Sequence, residues 1–279
     1  MDAFYSKEDL DSFDKRFKAN FINTISGYKS GSLIGTIGSD GVTNLAVFSS
    51  VVHVGSYPAL LGFVMRPLTV PRHTYSNIKK TKTFTINQIH TNITGKAHFT
   101  SVKFDDNESE FKALKLTEEF IDDFSAPFVK ESHIKIGLRF EEEYELNNGC
   151  LFIVGSIEFA YVKPSAVKKD GSINLQSIDT VAISGLNKYY TGEFHEEYPY
   201  AKKEDIETYL SKKSKDRSDN VVFNEETNQY DAALKKYSTD LGAPMIEYED
   251  VNHWKNIGKT KVNKNLEARY KAIKKNKKI

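Results

Sequence analysis

The sequence predicts a mainly β (α+β) protein: a β-barrel domain with peripheral helices and a helical C-terminal extension. Three observations carry this. About six apolar runs of strand length, rich in Val, Ile, Phe and Thr, are bounded by turn residues. Long helical patterns are few, and strands do not alternate with helices, which argues against a doubly wound fold. The 279 residues suffice for one large domain with an appendage, and the character of the chain changes near residue 200. The predicted division is therefore 1–200 for the barrel domain and 201–279 for a helical, lysine-rich extension.

Taken in order, Ser6-Lys-Glu-Asp9 is a helix start, a capping hydroxyl with an acid three residues later. Leu10, Phe13, Phe17 and Phe21 recur at helical spacing and predict one amphipathic helix, packed on the barrel or across a dimer interface. Residues 32–37 read as a strand, and Ser39-Asp40-Gly41 supplies a tight reversal. Residues 43–54 then form a second strand. Residues 59–65 form a third, so apolar that burial on both faces is expected. It ends at a polar patch holding Arg66, Thr69, Arg72, His73 and Thr74, and residues 83–89 restore the strand pattern. Asp105-Asp106-Asn107 marks a turn and N-cap for a short helix at 108–114. Residues 134–140 alternate like a half-buried strand, and 151–162 form a long strand closed by Pro164, with a further turn at Asp170-Gly171. Beyond residue 200, the segments 201–215, 228–241 and 262–278 have helical patterns, the last basic and amphipathic through Leu266, Tyr270 and Ile273.

Net charge is +1 but unevenly spread: residues 252–279 hold ten Lys/Arg against the single acid Glu267, so the rest is net acidic. No apolar run is long enough to span a bilayer, and the first residues lack the basic start and apolar run of a secretory signal. A cytoplasmic protein is expected. The lone cysteine, Cys150, forms no internal disulfide and is expected to be a buried, inert thiol. The seven histidines have no i, i+4 pairing and no nearby ligand cluster, so no metal is expected. No G-x-S-x-G elbow appears, and Gly35-Thr-Ile-Gly38-Ser-Asp-Gly41 lacks the dinucleotide spacing.

The candidate chemistry lies where the apolar sheet opens onto Ser49-Ser50 on one side and Arg66, Arg72, His73 and Thr74 on the other. Hydroxyl and guanidinium groups are the donors a phosphate takes, so this is a candidate anion pocket. Several stretches here share an order and spacing: Gly41-Val-Thr-Asn-Leu-Ala-Val-Phe-Ser-Ser50, Pro58-Ala-Leu-Leu-Gly-Phe-Val-Met-Arg-Pro67, Arg72-His-Thr-Tyr-Ser-Asn-Ile78, Thr83-Phe-Thr-Ile-Asn87, Ala97-His-Phe-Thr-Ser101 and Ser109-Glu-Phe111. Together they resemble the flavin reductase-like family with its FMN-binding split barrel, over roughly residues 21–200. Val47 departs from the proline that many relatives carry there.

The resemblance implies FMN as cofactor, NADH or NADPH as reductant, hydride transfer to flavin N5, and a homodimer with the flavin near its interface. It implies that Asn44, Ala46, Val47, Phe48, Ser49 and Ser50 line the ring, partly through main chain. Arg66, Arg72, His73 and Thr74 are the phosphate candidates, and Thr100 and Lys103 join His98 in a small polar group near the ring. Flavin chemistry needs no protein nucleophile, so His53 and His98 stand as catalytic candidates without an assigned step. Two other readings stay open: an electron-carrying, flavoredoxin-like FMN protein, and an adaptor whose basic tail meets nucleic acid or another acidic surface. Lysine-rich ends are usually solvated, which weighs against the last.

Overall fold

The structure is a computed structural model that describes residues 3–105, 107–198 and 201–210. Residues Tyr5–Glu197 form one compact unit. It opens with α1 (Lys7–Ser12) and α2 (Lys15–Ile25). The expected capping box is present, with Ser6 and Asp9 bonding each other's main chain. The single predicted helix is instead two, because Asp14 caps the second by accepting from the Arg16 and Phe17 N–H groups. No residue of either helix is buried. Tyr5 meets Phe13 and Phe21 edge-on, Phe13 meets Phe17 and Phe21 edge-on, and Phe17 stacks on Phe21.

The strands follow as β1 (Lys29–Ser30), β2 (Ser32–Ile37), β3 (Thr43–Phe48), β4 (Val52–Ser56) and β5 (Ala59–Met65). After α3 (His73–Thr81) comes β6 (Thr83–Gln88), then α4 (Thr94–Phe99) and α5 (Glu110–Leu114). The chain continues through β7 (Glu118–Glu119), β8 (Phe128–Val129), β9 (Ile134–Glu145), β10 (Leu151–Val162), β11 (Val181–Ser184) and β12 (Lys188–Thr191). Seven strands make one antiparallel sheet in the order β3-β2-β6-β9-β10-β5-β4, while β1-β11-β12 and β7-β8 form smaller sheets.

That order closes the barrel. β3 and β4 lie at opposite edges of the sheet, yet only Ser49, Ser50 and Val51 join them. Three residues reach no further than about 14 Å between the flanking Cα atoms. The sheet must therefore curl until its two edges meet, leaving a split between them. The Ser50 hydroxyl fastens this crossing: it donates to the Val64 carbonyl at 3.0 Å and accepts from the Val64 N–H at 3.1 Å. This corrects the expectation of one continuous strand over 43–54, since the Val-rich run hides a change of sheet edge.

Two apolar clusters hold the barrel. Ile34, Phe63, Ile78, Phe84, Ile86, Leu138 and Ile153 fill one face of the sheet, and Leu33, Leu45, Ala97, Phe111, Val129 and Val181 pack on the other. β2 is buried on both faces, whereas β5, expected to be so, is buried only toward its C-terminal end. Where β2 passes the 127 segment, a Cβ on Gly35 would stand 2.3 Å from the Pro127 carbonyl oxygen and 2.6 Å from Thr85 Oγ1. Gly35→Ala is expected to destabilise the fold by about 1–3 kcal/mol through this overpacking. Thermal unfolding checks it, and an unchanged midpoint would mean the 127 segment yields freely. Cys150 is half-buried rather than buried, because it sits at the turn before β10.

The second compact unit is described only at its fringes. A short 3-10 turn at Lys203–Asp205 leads into helix over residues 206–210, and Tyr198 and Tyr209 meet edge-on at 5.9 Å. The helix predicted at 201–215 is described only to residue 210. Those predicted at 228–241 and 262–278 lie outside the described residues.

Candidate functional site

Three helices, α3, α4 and α5, converge on the edge strand β3. Register fixes what each β3 residue presents. Asn44, Ala46 and Phe48 pair with Thr36, Ile34 and Ser32, so these side chains share the face carrying Ile34, while Leu45 and Val47 share the face carrying Leu33. Phe48 continues inward as a chain of rings, 5.0 Å from Phe63, which is 5.7 Å from Phe84. Ala46, Val47, Phe48, Ser49 and Ser50 are half-buried. With the Ala46 and Phe48 side chains turned onto that face, what the strand edge itself presents outward is main chain.

Asn44 is buried and braces the edge. Its amide donates to Thr36 Oγ1 at 3.3 Å and to Thr74 Oγ1 at 3.0 Å, and the Asn77 amide donates to the same Thr36 oxygen at 3.2 Å. This knot ties β2 and β3 to the first turn of α3. Since Thr74 accepts from Asn44, its own hydroxyl proton is left to point elsewhere.

The polar patch at 66–74 runs into helix α3: the irregular segment ends at Arg72, and His73 and Thr74 open a nine-residue helix. Arg72 occupies the N-cap, with extended backbone, and no side chain caps the first turn. Its Nε is buried and makes no hydrogen bond. An unpartnered buried donor costs free energy. Here it lies beside an uncapped helix N-terminus, whose main-chain donors and dipole favour an anion. Arg72, His73 and Thr74 are thus brought together. Arg66 is exposed, separated from them by the prolines at 67 and 71.

The remaining candidates divide. His98 Nδ1 lies 3.2 Å from the Tyr189 hydroxyl, and burial pushes that phenol's pKa up. The Thr100 hydroxyl is buried and donates to the Ala97 carbonyl at 2.8 Å, closing α4, and Lys103 is exposed. His53 is exposed on β4 and pairs with Ser56 at 3.2 Å, so it is not gathered with the phosphate candidates. Among the described residues no cluster of His, Cys, Asp or Glu could hold a metal ion.

Sequence reasoning missed Glu110. The residue is 5% exposed, and its Oε2 accepts from the Leu45 N–H at 2.8 Å. Beside it, Thr43 Oγ1 lies 2.6 Å from both Ser109 Oγ and Glu118 Oε1. The available signal was an acid inside Ser109-Glu-Phe111, directly before a buried aromatic. Asn77 and Tyr189 were missed for the same reason, being polar groups with tertiary partners and no local pattern.

A family model described as flavin reductase like domain matches residues 26–172. A solved structure from Shewanella frigidimarina, provisionally assigned as a flavin reductase with split barrel domain, is 48% identical and covers 72% of this chain and 100% of its own, with a TM-score of 0.69. Nitrilotriacetate monooxygenase component B from Bacillus cereus is 18% identical, covering 71% of this chain and 100% of its own at a TM-score of 0.65. Flavoredoxin of Desulfovibrio vulgaris is 23% identical, covering 62% and 92% at a TM-score of 0.55. At these last two identities the likeness is one of fold.

Proposed function

This chain belongs to the flavin reductase like domain family, and from that premise we propose that it binds FMN and passes a hydride from NADH or NADPH to the flavin. The observation that carries the reading is the buried, unpartnered Nε of Arg72 at the uncapped start of α3. FMN ends in a phosphate with close to two negative charges, which suits that donor set.

When bound, the flavin supplies the hydride acceptor, so the chain has only to bind, orient and stabilise charge. Arg72, His73 and Thr74 would hold the phosphate, with Asn44 fixing the Thr74 hydroxyl. The outward main-chain donors of β3 and of Ser49 would face the electron-rich edge of the ring, where fixed N–H groups stabilise developing charge without reorganising. Arg66 and Lys103, being exposed, would add only screened attraction for anionic nucleotides. Thr100 would act through the end of α4, its hydroxyl being spent on Ala97.

A homodimer belongs to the same reading: edge strand β4 leaves Val52 and Val54 exposed, and Tyr57 beyond it is fully exposed. Among the described residues no helix is long and apolar enough to cross a membrane. The cytoplasm, which supplies NAD(P)H, is the proposed compartment.

Purified protein is expected to be yellow or to become so with FMN, and heat should release FMN rather than FAD or riboflavin. Anaerobic stopped-flow mixing with NADH and NADPH should bleach the bound flavin. A protein that titrates with no flavin overturns the proposal. Tight FMN binding with slow bleaching by either nucleotide would instead favour an electron carrier.

A further inference from the structure

We propose that Glu110 is a positioning residue of the flavin site, and that its buried charge lowers the potential at which the bound flavin is reduced. The proposal rests on the flavin-binding reading above. It starts from the edge of the sheet: β3 has a strand neighbour, β2, on one side only. In an antiparallel pair, alternate residues of an edge strand turn their N–H groups outward. The Leu45 N–H donates to Glu110 Oε2, so Leu45 is such a residue, and Val47 shares its direction about 7 Å further along. Glu110 therefore occupies one outward donor of the open edge and leaves the next to the ring. Without it the Leu45 N–H would be buried and unpaired, since Leu45 has no exposed surface.

Burial, the largest effect, leaves the Glu110 pKa raised overall. The partners at this contact favour the carboxylate form: the Leu45 N–H, its own backbone N–H and the neighbouring His73 each lower the pKa, and burial outweighs them. The other carboxylate here, Glu118, is held by the Thr43 and Ser109 hydroxyls and takes no β3 main-chain donor. Hydride transfer brings the flavin two electrons and one proton, a net charge of −1. A carboxylate fixed beside the ring-facing edge, with little water between, opposes that charge. The reduced flavin becomes a stronger reductant.

Glu110→Gln separates the two roles, because its amide oxygen can still accept from Leu45. The midpoint potential of bound FMN, measured by reductant titration against a reference dye, is expected to favour the reduced form about tenfold more than in wild type. For two electrons that is a rise of about 30 mV. FMN and riboflavin affinities should stay within about threefold. Glu110→Asp keeps the charge on a shorter arm, so the potential should stay near wild type while both ligands bind more weakly. Glu118→Gln should leave the potential alone. An unchanged potential in Glu110→Gln overturns the proposal, as does an equal shift in Glu118→Gln. Should the amide variant fail to fold, Glu110→Met is read for the potential alone, because it also leaves the Leu45 N–H without its acceptor. If both neutral variants fail while Glu110→Asp folds, the charge serves folding and the proposal falls. A wild type that binds no flavin would instead end the functional reading itself.

Discussion

Replacing Arg72 by alanine is expected to weaken FMN binding about 10- to 150-fold while leaving riboflavin binding almost unchanged. The two ligands share a ring and differ by the phosphate, so they separate the two ends of the site. A hydrogen bond to a charged group contributes roughly 1.5–3 kcal/mol, which gives that range. Arg72 has the donor to spare: its Nε is buried and unpartnered at the N-cap of α3. In the proposed reading the ring end would rest on β3 and the crossing at 49–51, so losing the guanidinium should not disturb it. Arg72→Lys should fall between wild type and alanine, since an ammonium keeps the charge but not the planar fork. Added salt should weaken FMN binding to wild type more than riboflavin binding, because Arg72 is only half-buried. Isothermal titration of both ligands against wild type and Arg72→Ala decides the matter. Equal weakening of both would mean that Arg72 shapes the 66–72 loop, and the phosphate assignment would be withdrawn.

What could be read in advance follows the range of the forces involved. Strands β2, β6 and β10 were legible because alternation, β-branched content and the bounding Asp40-Gly41 and Pro164 are local signals. Helix α3 was not, since Pro67 and Pro71 stand just before it and its nine residues bury only Thr74, Asn77 and Ile78. Helix α4 runs six residues with Gly95 inside, too short for a period to show. Of the candidate site, the donor types at 66–74 proposed for the phosphate stand together in the sequence itself. The brace behind them was not legible: Asn44 was expected at the ring, and Asn77 and Glu110 look like surface polar residues, until the fold supplies Thr36, Thr74 and Leu45 as partners. Buried polar contacts between distant segments leave no periodic trace.

Ser49 and Ser50 put that limit to a direct test, because nothing in the sequence tells the two hydroxyls apart. Among the described residues the Ser49 hydroxyl makes no hydrogen bond, whereas that of Ser50 both donates to and accepts from the main chain of Val64. Ser50→Ala removes both bonds at the one place where the barrel edges are fastened. Each main-chain group left without a partner costs about 1–3 kcal/mol, reduced where water can reach it, so a loss of about 2–4 kcal/mol is expected. In a domain of this size that lowers the unfolding midpoint by about 4–16 °C. Ser49→Ala should leave the midpoint unchanged within error. Its effect should fall on the ligand instead, weakening FMN and riboflavin alike by about 0.5–1.5 kcal/mol if the hydroxyl bonds the ring. Differential scanning of the two variants without flavin, with titration of FMN and riboflavin against each, separates the two roles. Equal stability losses would show that the crossing is held by Val51 and Phe48 packing rather than by the Ser50 clasp. An unchanged affinity in Ser49→Ala would leave ring contact at this edge to the main chain alone, where the register of β3 already directs the outward N–H groups.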